Sequence, residues 1–365
     1  MNKKLLIFMP SIKGGGLEKN FFIISNFLAK KINSVSIITV NKEFKYKLNK
    51  KIKVISPKNN FWKNKTPYIK YIVCLFLLIK TLFKSKNYLL FSFQANWYAI
   101  LIAKIFNLKV ISRSNTAPQG WSKNSIKIFL YKQLLNLADE IIVNSIDFRK
   151  TLKKRFNVNA KCIYNPLNKK EIIKYSKEKI NFNFFNSKKH LKIINVGRFT
   201  DQKNQILILK SFELLKNKIP IKLLLIGRGE NLKYFKLFIK NNKLKNYIKI
   251  INFLDNPYRY IKLADVFILS SNFEGLPNVL LEAQCLKKII ISSNCPTGPK
   301  EILLNGKAGL MFKMNDYRAL AKKIKYVYFN KKKIDNKVQI GSKNLYRFSE
   351  SKNLNQYLDL ILKYI

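Results

Sequence analysis

Two glutamates, Glu274 and Glu282, lie eight residues apart in the run Asn272-Phe-Glu-Gly-Leu-Pro-Asn-Val-Leu-Leu-Glu-Ala283. The apolar run before them, Asp265 to Ser270, reads as a buried strand, and Pro277 suits the first turn of a following helix, where its missing N–H goes unneeded. Glu274 then sits in the connecting loop and Glu282 about one turn inside the helix. Both carboxylates project toward the carboxyl end of a parallel sheet, beside Gly275, Leu276 and the N–H groups of Asn278, Val279 and Leu280, which attract an anion such as a diphosphate. One carboxylate can hold a sugar and the other a ribose, with phosphates between them. A plainer reading also stands at this point: Glu282 favours the helix start, and Glu274 caps it.

Three further loops follow strand ends in the same way. Asn195-Val-Gly-Arg-Phe-Thr-Asp-Gln-Lys-Asn204 places Gly197 at the end of a buried strand, with Arg198 and Lys203 in the loop beyond, where two cations can flank a diphosphate. Leu225-Ile-Gly-Arg-Gly-Glu230 runs a strand into a turn at Gly227 that lines the same crevice and shapes a nucleotide pocket. Pro10-Ser-Ile-Lys-Gly-Gly-Gly-Leu-Glu18 lets the backbone approach a ligand closely. That loop fits neither G-x-G-x-x-G nor G-x-x-x-x-G-K-[ST], which removes support from dehydrogenase and P-loop readings. No Ser-His-Asp set or zinc-ligand spacing supports a hydrolase. The one histidine, His190, reads as a surface or connecting residue.

These loops need a scaffold of parallel strands, and the chain supplies one. Strand-like runs alternate with helical patterns from end to end, as in α/β proteins. Leu5–Phe8, Val35–Val40, Lys53–Ile55, Leu89–Phe93, Lys109–Ser112, Glu140–Asn144 and Cys162–Tyr164 form a first series, with helices such as Glu18–Lys31 and Asn96–Phe106 between them. Leu191–Val196, Ile221–Ile226, Ile248–Ile251, Val266–Leu269, Ile289–Ser292 and Gly309–Phe312 form a second. The expected division is a first domain over 1–168, a polar connection over 169–189, a second domain over 190–345 and a closing segment over 346–365, where Leu354, Leu358, Ile361 and Ile365 fall at helical spacing.

Length and composition agree with two domains. The 365 residues carry 71 Lys and Arg against 19 Asp and Glu, a formal charge of +52. Only eight of the basic residues are arginine, the type suited to bidentate phosphate contacts, so the excess reads as drift toward lysine rather than a nucleic-acid stripe. No nucleic-acid partner is expected; an anionic membrane surface is. The four cysteines show no CxxC pair and read as reduced cytosolic thiols.

Taken in order, Gly-Arg-x-x-x-x-Lys-Asn, Ile-Gly-x-Gly, Ala-Asp-Val-Phe-Ile-Leu-Ser-Ser and the Glu-x7-Glu segment resemble the retaining GT-B glycosyltransferases of family 4, and the Gly-Gly-Gly-Leu-Glu loop fits them too. The resemblance covers most of the chain. The run Ser293-Asn-Cys-Pro-Thr-Gly-Pro-Lys-Glu-Ile-Leu303 further resembles bacterial enzymes that add N-acetylgalactosamine or related hexoses to lipid-linked glycans. It implies two Rossmann-like doubly wound domains facing a central cleft, with the closing helix packed back on the first. Arg198 and Lys203 are then the donor diphosphate ligands, Glu274 meets the transferred sugar, Glu282 holds the ribose, and Gly15 and Gly16 close over the diphosphate. A UDP-sugar is the expected donor, and a glycan or polyprenyl-linked glycan the acceptor. No Asp-x-Asp occurs, so no metal is expected at the diphosphate. The alternatives are a nucleotide-sugar epimerase, a GT-B relative with another donor, or a non-catalytic basic protein.

One departure concerns the acceptor side. Many family members carry a histidine near the reacting sugar, whereas the matching loop here is Ile111-Ser-Arg-Ser-Asn-Thr-Ala-Pro-Gln-Gly-Trp121. Arg113, Ser114 and Asn115 are expected in its place, with Arg113 facing an acceptor phosphate. The expected location is cytoplasmic and peripheral on the inner face of the membrane. The helix over Tyr68–Phe83 reads as core, with Phe61, Trp62 and Lys63 the better membrane candidates.

Overall fold

The structure, a computed structural model, describes residues 3–116, 118 and 124–365. The chain divides into two compact units, one of residues 1–166 with 350–365 and one of residues 167–349. The expected strands of both series are present, and four in the second unit have the expected limits. Runs of Ile, Leu and Val buried on both faces of a parallel sheet mark themselves by continuous apolarity.

In the first unit the strands are β1 (Lys4–Phe8), β2 (Val35–Ile38), β3 (Lys53–Ile55), β4 (Tyr88–Ser92), β5 (Lys109–Ser114), β6 (Glu140–Val143) and β7 (Lys161–Cys162). They form a parallel sheet in the order β3-β2-β1-β4-β5-β6-β7. Its helices are α1 (Gly16–Lys31), α2 (Pro67–Lys84), α3 (Asn96–Ile105), α4 (Ser125–Asn136) and α5 (Ile146–Phe156). Leu6, Phe8, Leu90 and Val110 pack against α2, α3 and α5 on one face. Leu5, Ile7 and Phe91 pack against α1 on the other.

The second unit opens with α6 (Lys169–Ser176), followed by β8 (Leu191–Val196), α7 (Ile206–Leu215), β9 (Ile221–Ile226), α8 (Leu232–Asn241), β10 (Ile248–Ile251) and α9 (Tyr258–Leu263). It continues through β11 (Val266–Leu269), α10 (Asn278–Cys285), β12 (Ile289–Ser293), α11 (Pro299–Ile302), β13 (Leu310–Phe312), α12 (Tyr317–Phe329) and α13 (Lys331–Asn344). Its parallel sheet has the order β10-β9-β8-β11-β12-β13. The segment 169–189, expected as a connection, belongs to this unit. Asn168 caps α6 by accepting from Glu171 N at 3.0 Å, and α6 packs on α9 and α10. The polar composition of a short, half-exposed helix is what hid it.

The last helix, α14 (Glu350–Leu362), returns to the first unit and packs on α1, burying Leu354, Tyr357, Leu360 and Ile361. Here the expectation for Arg113 is corrected. Its side chain is fully buried inside the first unit. Nε donates to Tyr357 Oη at 2.8 Å and Nη2 to Asn165 Oδ1 at 2.7 Å, and the guanidinium lies 5.4 Å from the centre of the Phe93 ring. Inward alternation along β5 decides this, because Ile111 and Arg113 face the same side and Ile111 is core. Burial pushes the Tyr357 hydroxyl up, so it stays neutral beside the cation. Ser114 ends the strand, buried, and Asn115 Nδ2 donates to the carbonyls of Phe93 and Arg113 at 3.2 Å each. Of the expected acceptor loop, Ala117, Gln119, Gly120 and Trp121 lie outside the described residues.

The Arg113 contact carries a prediction. Tyr357→Phe removes an acceptor from a buried cation and should cost about 1.5–3 kcal/mol, read as a lower urea midpoint for the first unit. An unchanged midpoint would show that the contact contributes nothing.

Candidate active site

In the second unit the strand order reverses between β8 and β11, and such a switch point opens a crevice at the carboxyl ends of the strands. The β8–β11 pairing runs through Ile193 with Val266 and Ile194 with Phe267. Beyond it, Asn195 Nδ2 donates to Ile268 O at 2.8 Å, a side chain taking up the bonding where the strands part. The loops leaving these two strands are stitched together across the opening. Asn272 N donates to Gln202 O at 2.8 Å, Gln202 Nε2 to Phe273 O at 3.0 Å, and Ser270 Oγ to Lys203 O at 2.8 Å.

This stitching brings Lys203 and Glu274 together. Lys203 Nζ lies 2.5 Å from Glu274 Oε1, and Ser271 Oγ donates to the same oxygen at 2.6 Å. Glu274 is buried. Its loop is fixed from the far side as well: Glu274 N donates to Pro296 O at 2.7 Å, and Thr297 Oγ1 to the carbonyls of Glu274 and Gly275 at 3.0 and 3.1 Å. A Cβ on Gly298, at φ +86°, would stand 2.3 Å from Gly275 O, so the close approach of the two loops requires glycine there. Burial, with the charge of Glu274, pushes the neighbouring Cys295 thiol up to about 12. That thiol is neutral near pH 7 and offers no nucleophile.

Arg198 stands exposed at the edge of the same loop, with Nη2 donating to Gln202 Oε1 at 3.4 Å. Its backbone is held by the glycine turn after β9. Phe199 N donates to Arg228 O at 2.9 Å, and a Cβ on Gly227 would fall 1.9 Å from Gly197 O. The absence of a side chain at Gly227 therefore lets the two loops close on each other at Gly197.

Glu282 lies buried on α10, where Tyr258 Oη donates to its Oε1 at 3.1 Å. Tyr258 is held in turn by its N–H to Asn256 Oδ1 at 3.1 Å. At the start of α10 the Leu280 N–H is engaged by Pro277 O at 3.0 Å. This corrects the expectation that it is open to a ligand; Pro277 caps the helix and draws that N–H back into a turn. Leu276 is buried, and Asn278 and Val279 are half-buried at the helix start.

Gly15 and Gly16 belong to the first unit, where Gly15, at φ +155°, caps α1 and Gly16 begins it. Asn41 braces that loop, its Oδ1 accepting from Ile12 N at 2.9 Å and from the buried Lys70 Nζ at 3.4 Å. Sequence reasoning missed Ser271 and Tyr258. Ser271 stood inside a quoted motif but passed as a strand end, and Tyr258 had no motif at all. Among the described residues, no group of three or more His, Cys, Asp or Glu is placed to hold a metal ion.

Residues 176–344 match the family model described as glycosyl transferases group 1. This stretch contains Lys203, Ser271, Glu274 and Glu282. The chain is similar to an uncharacterized glycosyltransferase of Methanocaldococcus jannaschii, 31% identical over 221 residues that cover 56% of this chain and 53% of that one. It thus spans about half the length of that relative. It is also similar to the N-acetylgalactosamine-N,N'-diacetylbacillosaminyl-diphospho-undecaprenol 4-alpha-N-acetylgalactosaminyltransferase of Campylobacter jejuni, 25% identical over 342 residues, covering 88% and 89% of the two chains. Among solved structures, HepE of Anabaena in complex with UDP-glucose aligns with a TM-score of 0.79 at 16% identity, over 99% of this chain and 100% of that one. Sucrose-phosphate synthase of Thermosynechococcus elongatus aligns at 0.81 and 15%, over 99% and 98%. At these identities the likeness shows the fold alone, which is GT-B.

Two expected outcomes follow from the site. Ser271→Ala should lower kcat about tenfold with donor KM little changed, and Ser271→Thr should restore it, since a bond to a charged group is worth about 1.5–3 kcal/mol. A proportional fall in folded protein instead would make Ser271 merely structural. Gly227→Ala should lower the melting temperature of the second unit by several degrees, at a cost of about 1–3 kcal/mol for overpacking; a melt matching the parent would contradict the close approach.

Proposed function

We propose that this protein is a glycosyltransferase, a retaining, metal-independent enzyme of family 4 that moves a hexose from a UDP-sugar to a lipid-linked glycan. The observation that carries the reading is the meeting of Lys203, Glu274 and Ser271 at the switch point of the second sheet, with Glu282 on the next helix. The name of the Campylobacter relative supports an N-acetylgalactosamine donor and an undecaprenol-linked acceptor, and a UDP-glucose complex of a structural neighbour supports the nucleotide.

In this reading Glu282, oriented by Tyr258, accepts from the ribose hydroxyls. Arg198 and Lys203 neutralise the diphosphate, with the first N–H groups of α10 beside them. Donor entry exchanges the contact of Lys203 with Glu274 for one with phosphate, which leaves the carboxylate to hold sugar hydroxyls. The acceptor hydroxyl attacks the anomeric carbon on the face that the diphosphate leaves. The bond between that carbon and the phosphate oxygen breaks, and the departing phosphate takes the hydroxyl proton. Catalysis then consists of positioning and of charge stabilisation that grows as the diphosphate leaves. The protein works at the inner face of a membrane that carries the acceptor.

Lys203→Ala and Arg198→Ala should each lower turnover of a UDP-sugar about 10²-fold, as expected for charged contacts stronger in the transition state, and should abolish the rise in melting temperature on adding UDP. Near-parental turnover in both variants removes the diphosphate assignment. Loss of activity after chelation of divalent cations, restored by magnesium, removes the metal-free mechanism.

A further inference from the structure

The helices α2, α3 and α4 lie side by side on one face of the first sheet, and each is apolar on its outer side as well as its inner one. α2 buries Cys74, Leu78 and Leu82 against the sheet, while Ile72 and Phe76 are each 67% exposed. On α3, Leu101 and Ile105 are exposed, and on α4 Phe129 and Leu130. The patch is continuous. Phe83 of α2 meets Phe106 at the end of α3 edge to face at 5.2 Å, and Trp97 of α3 stacks on Tyr131 of α4 at 3.8 Å. Soluble surfaces seldom carry an apolar area that spans three helices. The sequence reading placed α2 in the core and put the membrane contact at Phe61–Lys63; the structure gives α2 two apolar faces.

Charge selects the occupant. Between Glu43 and Asp139 the chain contains no Asp or Glu, and this stretch includes all three helices. Lys63, Lys80, Lys84 and Lys127 are exposed around the apolar patch, and Lys65 Nζ rides 4.0 Å over the Phe61 ring. A second copy of the chain would bring the same cations face to face. A nucleic acid would engage the lysines and leave the apolar side chains in water. An anionic bilayer satisfies both, with aliphatic and aromatic side chains at the acyl boundary and ammonium groups at the level of the phosphates. None of the described helices is long and apolar enough to cross a membrane, so the contact lies in the plane of the interface.

We infer that the outer faces of α2, α3 and α4 form a docking surface for anionic phospholipid bilayers. The inference deepens the reading of a membrane-held acceptor and rests on it for its purpose, while binding itself is measurable without turnover. The test uses the full chain floated with vesicles of neutral phosphatidylcholine and with vesicles containing roughly one part in three phosphatidylglycerol. The parent should bind the anionic vesicles at least about tenfold more tightly, and Ile72→Glu/Phe76→Glu should lose that binding about tenfold or more. The variant should keep its UDP-induced rise in melting temperature and its transfer to a water-soluble acceptor, and lose transfer to an acceptor in vesicles. Equal binding of parent and variant overturns the docking surface. So does a parent dimer that the variant dissociates while both bind vesicles alike. Vesicle binding intact with no turnover of any UDP-sugar would instead count against the proposed function and leave the docking surface supported.

Discussion

The parting of two parallel strands is the constraint on which the candidate site depends. Adjacent strands in the second sheet share backbone bonds until the β8–β11 pairing ends at Ile194 and Phe267, and the polar groups exposed beyond it need partners. Asn195 supplies one with its side chain, and the two loops supply the rest by bonding to each other. The result is a rim in which a lysine from one loop and a serine from the other donate to a single oxygen of Glu274. A charged pair placed this way costs desolvation. It persists because backbone bonds, rather than the pair itself, fix the geometry, so the charges are available to a ligand that offers a better partner.

Much of this was legible in the chain. Several strands of the second sheet declared themselves as short runs of Ile, Leu and Val ending in Gly or Ser; the loops that follow those ends hold Arg198, Lys203 and Glu274, and the helix after the last of these loops holds Glu282. What failed were readings that depend on where a side chain points. Arg113 follows a strand like Arg198 does, yet it falls on the inward register of β5 and is consumed by Tyr357 and Asn165. Tyr357 is 244 residues away in sequence, and no local pattern announces such a partner. Ser271 and Tyr258 escaped for a related reason: a hydroxyl that orients a carboxylate leaves no spacing rule behind. The helix at 169–176 escaped because its polarity matched that of a linker.

The lysine excess looks different once the structure is in view. Spread over a surface, lysine contributes solubility and diffuse attraction to anions. Along α2, α3 and α4 it is combined with a stretch of chain that holds no Asp or Glu and with apolar side chains that the sheet does not need. The amphipathic helix of an ordinary α/β domain has one task, which is to cover the sheet. These helices are built with material for two.

The return of α14 to the first unit has a consequence for synthesis. The ribosome releases β1 to β7 first, but Tyr357, Leu360 and Ile361, which cover one side of that sheet, are made only after the whole of the second unit. Until they arrive, Arg113 has Asn165 but lacks Tyr357 as an acceptor, and the α1 side of the sheet is incomplete. The first unit to be translated is therefore the second to be finished, and a chain stalled before α14 emerges would present a first unit with one face of its sheet open.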